Sequence, residues 1–267
     1  MEIDKDFLIE TRRNAYVECS MNFIEHNNIV GYYGTGIPLE LFYGFELIPV
    51  PLEGVDSDVF AFTNETLLEE NFCDCIQSTL TYLETEKCPI LFSCKAYFFQ
   101  NFCELMFREF STRTKKPCIK LELEKDDGLD ILKKEIEKIS AKKFNLEKSE
   151  QAKKRLKYID SVIEKIENYS DVDGEKIFLL RYYSPYIIDL NTRLEYFKTL
   201  EKKLIFKNTK QKRKLFTVAC PRGIFKNIYK QVPKSAKIIW DKNFPKNTKL
   251  DFADKRCVYE HLHNTEY

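Results

Sequence analysis

The sequence predicts an α/β protein with a Rossmann-like lobe built on a parallel sheet, a helical middle segment and a truncated second α/β lobe. Short, β-prone apolar runs alternate with helical patterns over the first 125 residues, which is typical of a parallel sheet. Lys and Glu then dominate from about residue 129 to residue 208, where the apolar residues keep helical spacing. We therefore expect the first lobe at 1–125, the helical segment at 126–210 and the partial second lobe at 211–267.

The elements of the first lobe follow from local patterns. Apolar residues at helical intervals indicate a helix over 5–27, and Pro38 suits the first turn of a helix over 39–45. Further helices are expected over 65–84 and 96–110. Short apolar runs predict three strands, at 29–33, 47–52 and 89–93, and a fourth strand is expected over 117–123.

The later part of the chain is predicted to be helical first and then to form two more strands. Breaks in the helical segment are expected near 170–174 and at Pro185. The two strands are expected at 215–219 and 236–240, joined by a helix over 224–231, with a mostly irregular tail from residue 242.

Charge and hydropathy exclude some classes of protein. Lys and Arg number 43 against 42 Asp and Glu, which argues against a globally basic nucleic-acid binder. The first ten residues lack the basic and apolar segments of a secretory signal. No apolar run reaches the roughly 18 residues that a membrane helix needs. We therefore expect a cytoplasmic protein that does not contact a membrane.

The nine cysteines are unevenly distributed. A cytosolic chain keeps its thiols reduced, so they do not indicate a disulfide framework. Five fall within one stretch, with the spacing C-x-C-x12-C-x5-C-x8-C from Cys73 to Cys103. This density favours a metal or iron–sulfur site. The absence of a C-x2-C pair is unlike a zinc finger, and the spacing does not name the metal. The alternative for each cysteine is a small buried hydrophobe.

The predicted strands place some of these residues at one edge of the sheet. Cys94 follows the strand over 89–93, and Gly34 and Thr35 follow the strand over 29–33. Ligands of α/β sheets bind beyond the carboxyl ends of the strands, so we expect these two loops to face one crevice. Cys73 lies near the middle of the helix expected over 65–84 or at a break in it, and if it begins a helical stretch there, free N–H groups favour a thiolate. The glycine spacing does not match a dinucleotide-binding fingerprint.

Other candidate residues have a structural and a functional interpretation. Glu40 either lies near a substrate or interacts with the helix dipole, and the Thr35 hydroxyl either contacts substrate or serves the turn. The basic run 198–214 is either a solvated helix end or a surface for an anion or RNA. The remaining cysteines of the dense stretch are interpreted as core residues: Cys75, Cys88 and Cys103.

A family resemblance is carried by three motifs. Gly31-Tyr-Tyr-Gly-Thr-Gly-Ile-Pro-Leu-Glu40-Leu41, followed by the segment up to Val50, resembles the opening motif of the 2-hydroxyacyl-CoA dehydratase D-component family. That family also includes the cluster-binding subunits of benzoyl-CoA reductase. Cys73-Asp-Cys-Ile-Gln-Ser78 and Pro89-Ile-Leu-Phe-Ser-Cys94 are similar to its two cysteine motifs. The resemblance covers about residues 25 to 125, in the family's order.

The resemblance implies two Rossmann-like lobes that hold a [4Fe–4S] cluster. Members of the family are lyases that dehydrate (R)-2-hydroxyacyl-CoA thioesters through a ketyl radical, and an ATP-driven activator protein supplies the electron. Cys73 and Cys94 carry over as the ligands of the cluster and its metal, and Glu40 and Thr35 as catalytic candidates. The expected partners are an acyl-CoA substrate, a homologous dehydratase subunit and the activator.

The sequence also departs from the family pattern. Gly34 stands where the family has a cysteine, Lys95 replaces an aspartate and Gln77 replaces a basic residue. The chain is also short for two complete lobes. Three functions are therefore expected, in this order: a dehydratase-like iron–sulfur protein, a non-catalytic scaffold subunit of the same fold without a cluster, and an anion- or RNA-binding module that uses the run 198–214.

Overall fold

The computed structural model describes residues 3–34, 36–52, 74–100 and 103–208, together with three short strands farther along the chain. At residues 74, 75 and 175, and in the strands beyond residue 208, the description covers the backbone alone. The architecture is mixed α/β with an all-parallel sheet, which confirms the predicted fold class. Within these residues, no helix combines the length and the apolar character that crossing a membrane requires.

The helices and strands follow one another along the chain in an alternating order at first. The described helices are α1 (Lys5–Glu25), α2 (Glu40–Gly44), α3 (Asp74–Glu84), α4 (Pro89–Ser93), α5 (Glu104–Thr112), α6 (Gly128–Ser140), α7 (Leu146–Tyr169), α8 (Gly174–Tyr183) and α9 (Leu190–Lys203). The described strands are β1 (Ile29–Tyr33), β2 (Ile48–Pro51), β3 (Tyr97–Gln100), β4 (Cys118–Leu121), β5 (Lys214–Val218), β6 (Lys237–Trp240) and β7 (His263–Glu266).

The chain forms two compact units, and each of them combines separate segments. The sheet unit consists of Asn14–Leu52 and Tyr82–Lys157. The helical unit consists of Met1–Arg13, Glu53–Thr81 and Tyr158–Tyr267. The division of the sequence into three consecutive segments stays a prediction.

The sheet unit is organised around a four-stranded parallel sheet in the order β2-β1-β3-β4. Every residue of β1 is buried, as expected for an inner strand covered on both faces. Gly31 of β1 lies opposite Tyr97 of β3. A Cβ atom at Gly31 would lie 2.1 Å from Leu52 Cδ2, so this position of the strand requires glycine.

One side of the sheet packs against α2 and α6 to form a hydrophobic core. The rings of Phe42 on α2 and Phe98 on β3 meet edge to face, with their centroids 4.9 Å apart. Leu132 and Ile136 of α6 belong to the same cluster, and all four side chains are fully buried. Their spacing on α6 is four residues, which places both on one face of that helix.

The connection between α6 and α7 is fastened to the turn that precedes β2. Asn145 donates its backbone N–H to the Gly44 carbonyl oxygen at 2.8 Å, and the rings of Phe45 and Phe144 lie 5.1 Å apart. The Glu46 carboxylate accepts hydrogen bonds from the ammonium groups of both Lys142 and Lys148. These two bonds lower the pKa of Glu46 to about 2.

The helical unit contains a second, three-stranded sheet and the ends of the long helices. The sheet has the order β6-β5-β7, with β5 parallel to β6 and antiparallel to β7. The expected break after α7 is confirmed, because α8 begins only at Gly174, where the Asp173 side chain accepts the Lys176 N–H. Pro185 lies in a 3-10 turn at Ser184–Tyr186, which confirms the second break.

Two predictions for the middle of the first lobe are wrong. The strand expected over 89–93 is the short helix α4, because Pro89 stands at its first position, where proline needs no N–H partner. The helix expected over 96–110 begins instead as β3, and only its later part is helical, as α5. The aromatic run at the start of β3 favours an extended chain, although its apolar residues also fit helical spacing.

Most other predicted elements are confirmed with small changes at their ends. These are α1, α2, β1, β2, β4, β5 and β6. The first nine residues of the helix expected over 65–84, and the whole helix expected over 224–231, lie outside the described residues. In the tail, which is expected to be mostly irregular from residue 242, β7 forms a short strand over 263–266 that the sequence does not predict, and the rest of the tail lies outside the described residues.

Replacing Phe98 by Ala tests the importance of the sheet core. The side chain is fully buried against Phe42, so we expect the free energy of unfolding to fall by about 3–5 kcal/mol. Phe92→Ala is the matched control, because the Phe92 side chain is 56% exposed and its loss should cost less than about 1 kcal/mol. Urea unfolding followed by circular dichroism measures both, and equal losses would contradict the described core.

Replacing Glu46 by Gln tests the fastening of the α6–α7 connection. The folded-state pKa of about 2 lies below the ordinary value of 4.5, so the charged carboxylate stabilises the fold at pH values above 4.5. This contribution is lost as the pH falls from 4.5 towards 2. We expect the variant to show a shallower loss of stability over this range than the wild type. Parallel stability curves for the two proteins would mean that the two lysine contacts contribute nothing.

Candidate functional site

The carboxyl edge of the parallel sheet is the place where an α/β fold of this type binds its ligands. The neighbouring strands β1 and β3 end there, at Tyr33 and Gln100. Beyond β1 the chain turns at Gly34, whose φ of 129° lies in a region that side chains rarely adopt. This backbone conformation therefore favours glycine at position 34.

A hydrogen bond joins the turn after β1 to the end of β3. The Gly36 N–H donates to Oε1 of Gln100 at 2.8 Å. A Cβ atom at Gly36 would lie 2.8 Å from Nε2 of the same glutamine, so a larger residue would displace the Gln100 side chain from this contact. The Gln100 side chain of the adjacent strand β3 thus holds the glycine-rich turn at the carboxyl edge of the sheet.

Cys103 is the thiol that the structure places just beyond the carboxyl end of β3. It is the N-cap residue of α5, is half-buried, and its Sγ accepts the backbone N–H of Met106 at 3.4 Å. Such N–H donation at the start of a helix stabilises a thiolate. The expectation that Cys103 is a core residue is therefore wrong. Placing the third strand at 97–100 would have revealed Cys103, because it follows that strand closely.

Cys94 lies at the opposite edge of the sheet. It precedes β3 instead of following a strand, so the expectation that it meets the turn at Gly34 is wrong. Its side chain is 1% exposed, and its thiol donates to the Ile90 carbonyl oxygen at 3.1 Å. Burial raises the pKa of Cys94 well above its ordinary value, and the nearby Cys19 adds to the effect. Cys94 is therefore a protonated thiol at neutral pH.

Other cysteines of the sheet unit differ in burial. Cys19 and Cys88 are fully buried, which confirms the core interpretation of Cys88, whereas Cys118, at the start of β4, is half-buried as Cys103 is. Burial raises the pKa of the Cys19 thiol, and it raises the pKa of Cys118 to about 12. Cys19 and Cys118 are therefore protonated at neutral pH, and protonated thiols are poor nucleophiles and poor metal ligands.

Glu40 begins α2, after the turn that follows β1. Its side chain is half-buried, and it makes no hydrogen bond or ion pair with another described residue. A carboxylate at a helix N-terminus is favourable in itself. Both interpretations of Glu40, near a substrate or at a helix dipole, therefore stay open.

Two predicted site residues, Thr35 and Cys73, lie outside the described part of the chain. The side chain of Cys75 also lies outside it, and so do Cys220 and Cys257, two further cysteines of the sequence. Among the described residues, no group of three or more His, Cys, Asp and Glu side chains could hold a metal ion. The described residues therefore contribute one accessible thiol to the carboxyl edge.

The basic run 198–214 is partly described. Its first residues belong to the end of α9, where Lys198 pairs with Glu195 at 2.7 Å and Glu201 pairs with Lys165 at 2.9 Å. Lys207 pairs with Asp171. These ion pairs fit a solvated helix end. Residues 209–213 lie outside the described part.

Comparison with known proteins does not assign the chain to a family. No protein-family model matches the chain, and no curated protein matches it. The class that the structure itself defines is a mixed α/β protein with a Rossmann-like, all-parallel sheet.

Thiol labelling tests the contrast between Cys103 and Cys94. We expect iodoacetamide to modify Cys103 at least about tenfold faster than Cys94 in the folded protein, because only Cys103 is accessible and bonded to an N–H donor. Peptide mapping by mass spectrometry gives the two rates. The same measurement in concentrated urea is the control, where the rates should converge. Faster labelling of Cys94 in the folded protein would contradict the described positions.

Proposed function

We propose that this chain is a 2-hydroxyacyl-CoA dehydratase-like iron–sulfur protein, in which Cys103 and Cys73 contribute ligands to a cluster. The observation that carries the proposal is the position of Cys103. It supplies a half-buried thiol beyond the end of β3, while the turn that bears the family-like motif is bonded to the end of the same strand by Gln100. The proposal thus moves the second ligand role from Cys94 to Cys103.

The donor set at this edge fits a cluster in part. Cys103 has the exposure and the N–H donor that suit a thiolate ligand, whereas Cys94 is buried and protonated. A cluster needs further thiolates, and the candidates for them are Cys73, Cys75, Cys220 and Cys257. When bound, a [4Fe–4S] group would supply an electron-transfer centre and a Lewis acid.

The residues around Cys103 have roles that follow from their own chemistry. Gly34 allows the turn after β1, and Gln100 packs against Gly36 and holds that turn in place. Glu40 and Thr35 follow β1 in sequence, and we propose that they face the substrate. An acyl-CoA substrate, a homologous dehydratase subunit and an ATP-driven activator are the proposed partners, and lyase chemistry in the cytoplasm is the proposed activity.

A second candidate is a non-catalytic scaffold subunit of the same fold. It is favoured by the single accessible thiol at the carboxyl edge of the described chain. It is also favoured by an exposed apolar stripe on α1 at helical spacing, formed by Val17, Met21 and Ile24. In this alternative, the protein carries no cluster and assembles with a cysteine-complete homologue.

Anaerobic reconstitution with iron and sulfide distinguishes the two candidates. We expect the wild type to gain bound iron and a broad visible absorbance, and Cys103→Ser and Cys73→Ser each to lose at least about half of both, because a cluster tolerates the loss of a thiolate poorly. Cys94→Ser is the matched control. Its hydroxyl can still donate to the Ile90 carbonyl, so it should retain iron as the wild type does.

Two outcomes would contradict the dehydratase-like proposal. Negligible iron in the wild type would favour the scaffold. If Cys94→Ser loses iron and Cys103→Ser retains all of it, then Cys94 is the ligand and the position of Cys103 does not support a cluster site.

A further inference from the structure

A basic cleft lies at the amino edge of the parallel sheet, opposite the candidate site. Its volume is about 640 Å³, and it lies where Asn28, Leu47 and Lys95 lead into β1, β2 and β3. Lys142 and Lys148, from the α6–α7 connection and the start of α7, complete its basic lining. All of its lining residues belong to the sheet unit. A cleft of this size is large enough for a small metabolite.

The cations of this cleft are only partly neutralised. Glu46 is shared by Lys142 and Lys148, so two ammonium groups face one carboxylate. Glu25, the other lining acid, is exposed and lies 3.6 Å from the imidazole of His26. Lys95 is half-buried and forms no ion pair or side-chain hydrogen bond with any residue that the structure describes. The lining therefore keeps a net positive charge, and the half-buried Lys95 carries part of it.

Helix ends explain some of this charge but leave Lys95 unexplained. The helices α1, α2 and α6 all end at the cleft, and their last carbonyl groups attract cations. This attraction suits Lys142, which follows α6 closely. Lys95 is instead held in place by its own backbone, whose N–H donates to the Ile29 carbonyl oxygen at 2.8 Å. This bond places the Lys95 backbone beside the start of β1.

A buried hydrogen-bond acceptor lies in the same cleft. Oδ1 of Asn28 is shielded from solvent and has no hydrogen-bond partner among the described residues. A buried polar atom of this kind is stabilised when a ligand donates an N–H or O–H to it. Apolar lining is provided by Leu47 and Ile48, and a half-buried ring by Tyr43. The cleft thus combines cations, one acceptor and an apolar wall.

We propose that the cleft at the amino edge binds a small phosphorylated metabolite that also carries a hydroxyl or amino group. The phosphate contacts Lys95 and the two lysines that share Glu46, since ammonium groups that line one cleft suit a multiply charged anion. The hydroxyl or amino group donates to Oδ1 of Asn28. This site is separate from the carboxyl edge, so it does not depend on the presence of a cluster.

Binding of glycerol 3-phosphate to the full-length chain tests the proposal. We expect calorimetry to show that glycerol 3-phosphate binds to the wild type and that uncharged glycerol does not. Lys95→Gln should weaken the binding by about tenfold or more, and Lys95→Arg should retain it because the charge remains. Lys134→Gln is the matched control, since it removes one exposed positive charge from the same unit outside the cleft.

A second measurement uses the wild type alone and does not depend on the folding of variants. Glycerol 3-phosphate should slow the acetylation of Lys95 by a water-soluble reagent, while Lys134 should react at an unchanged rate. In the calorimetry, the proposal is overturned if glycerol 3-phosphate does not bind to the wild type, if Lys95→Gln and Lys134→Gln weaken its binding equally, or if Lys95→Arg abolishes its binding. In the acetylation measurement, it is overturned if Lys95 reacts at the same rate with and without glycerol 3-phosphate.

Discussion

The parallel pairing of β1 with β3 is the constraint on which the rest of the structure depends. Gly31 lies opposite Tyr97 and Tyr33 lies opposite Phe99, so both strands begin at one edge and end at the other. This register requires a glycine in β1, where Leu52 and Tyr97 leave no space for a side chain. Because the strands are parallel, the residues that follow them gather at one edge and the residues that precede them gather at the opposite edge.

The two edges consequently have different chemistry. At the carboxyl edge, Gln100 holds the glycine-rich turn, and the position of Cys103 at the start of a helix favours negative charge on its sulfur. At the amino edge, three helices end and lysines gather around Glu46 and Lys95. The direction of the strands therefore separates a proposed cluster site from a proposed phosphate site within one sheet, and Cys94 belongs to neither because it is buried and protonated.

The sequence predicts the alternation of strands and helices well, because β1, β2 and β4 are short apolar runs bounded by turn residues. It predicts the segment from Pro89 to Phe110 badly. A five-residue apolar run after a proline fits either a buried strand or a short helix, and only the packing of Ile90 and Leu91 in the core decides between them. That single error placed Cys94 at the wrong edge and concealed Cys103. The cleft around Lys95 has no local sequence pattern at all, since its residues come from segments that the fold brings together.

Iron-edge anomalous diffraction from crystals of the anaerobically reconstituted protein tests the central claim most directly. The account predicts an iron peak beyond the carboxyl ends of β1 and β3, bonded to Sγ of Cys103, with no iron beside Cys94. An iron peak bonded to Cys94 at the amino edge, or well-ordered crystals in which Cys103 Sγ has no iron neighbour, would contradict it.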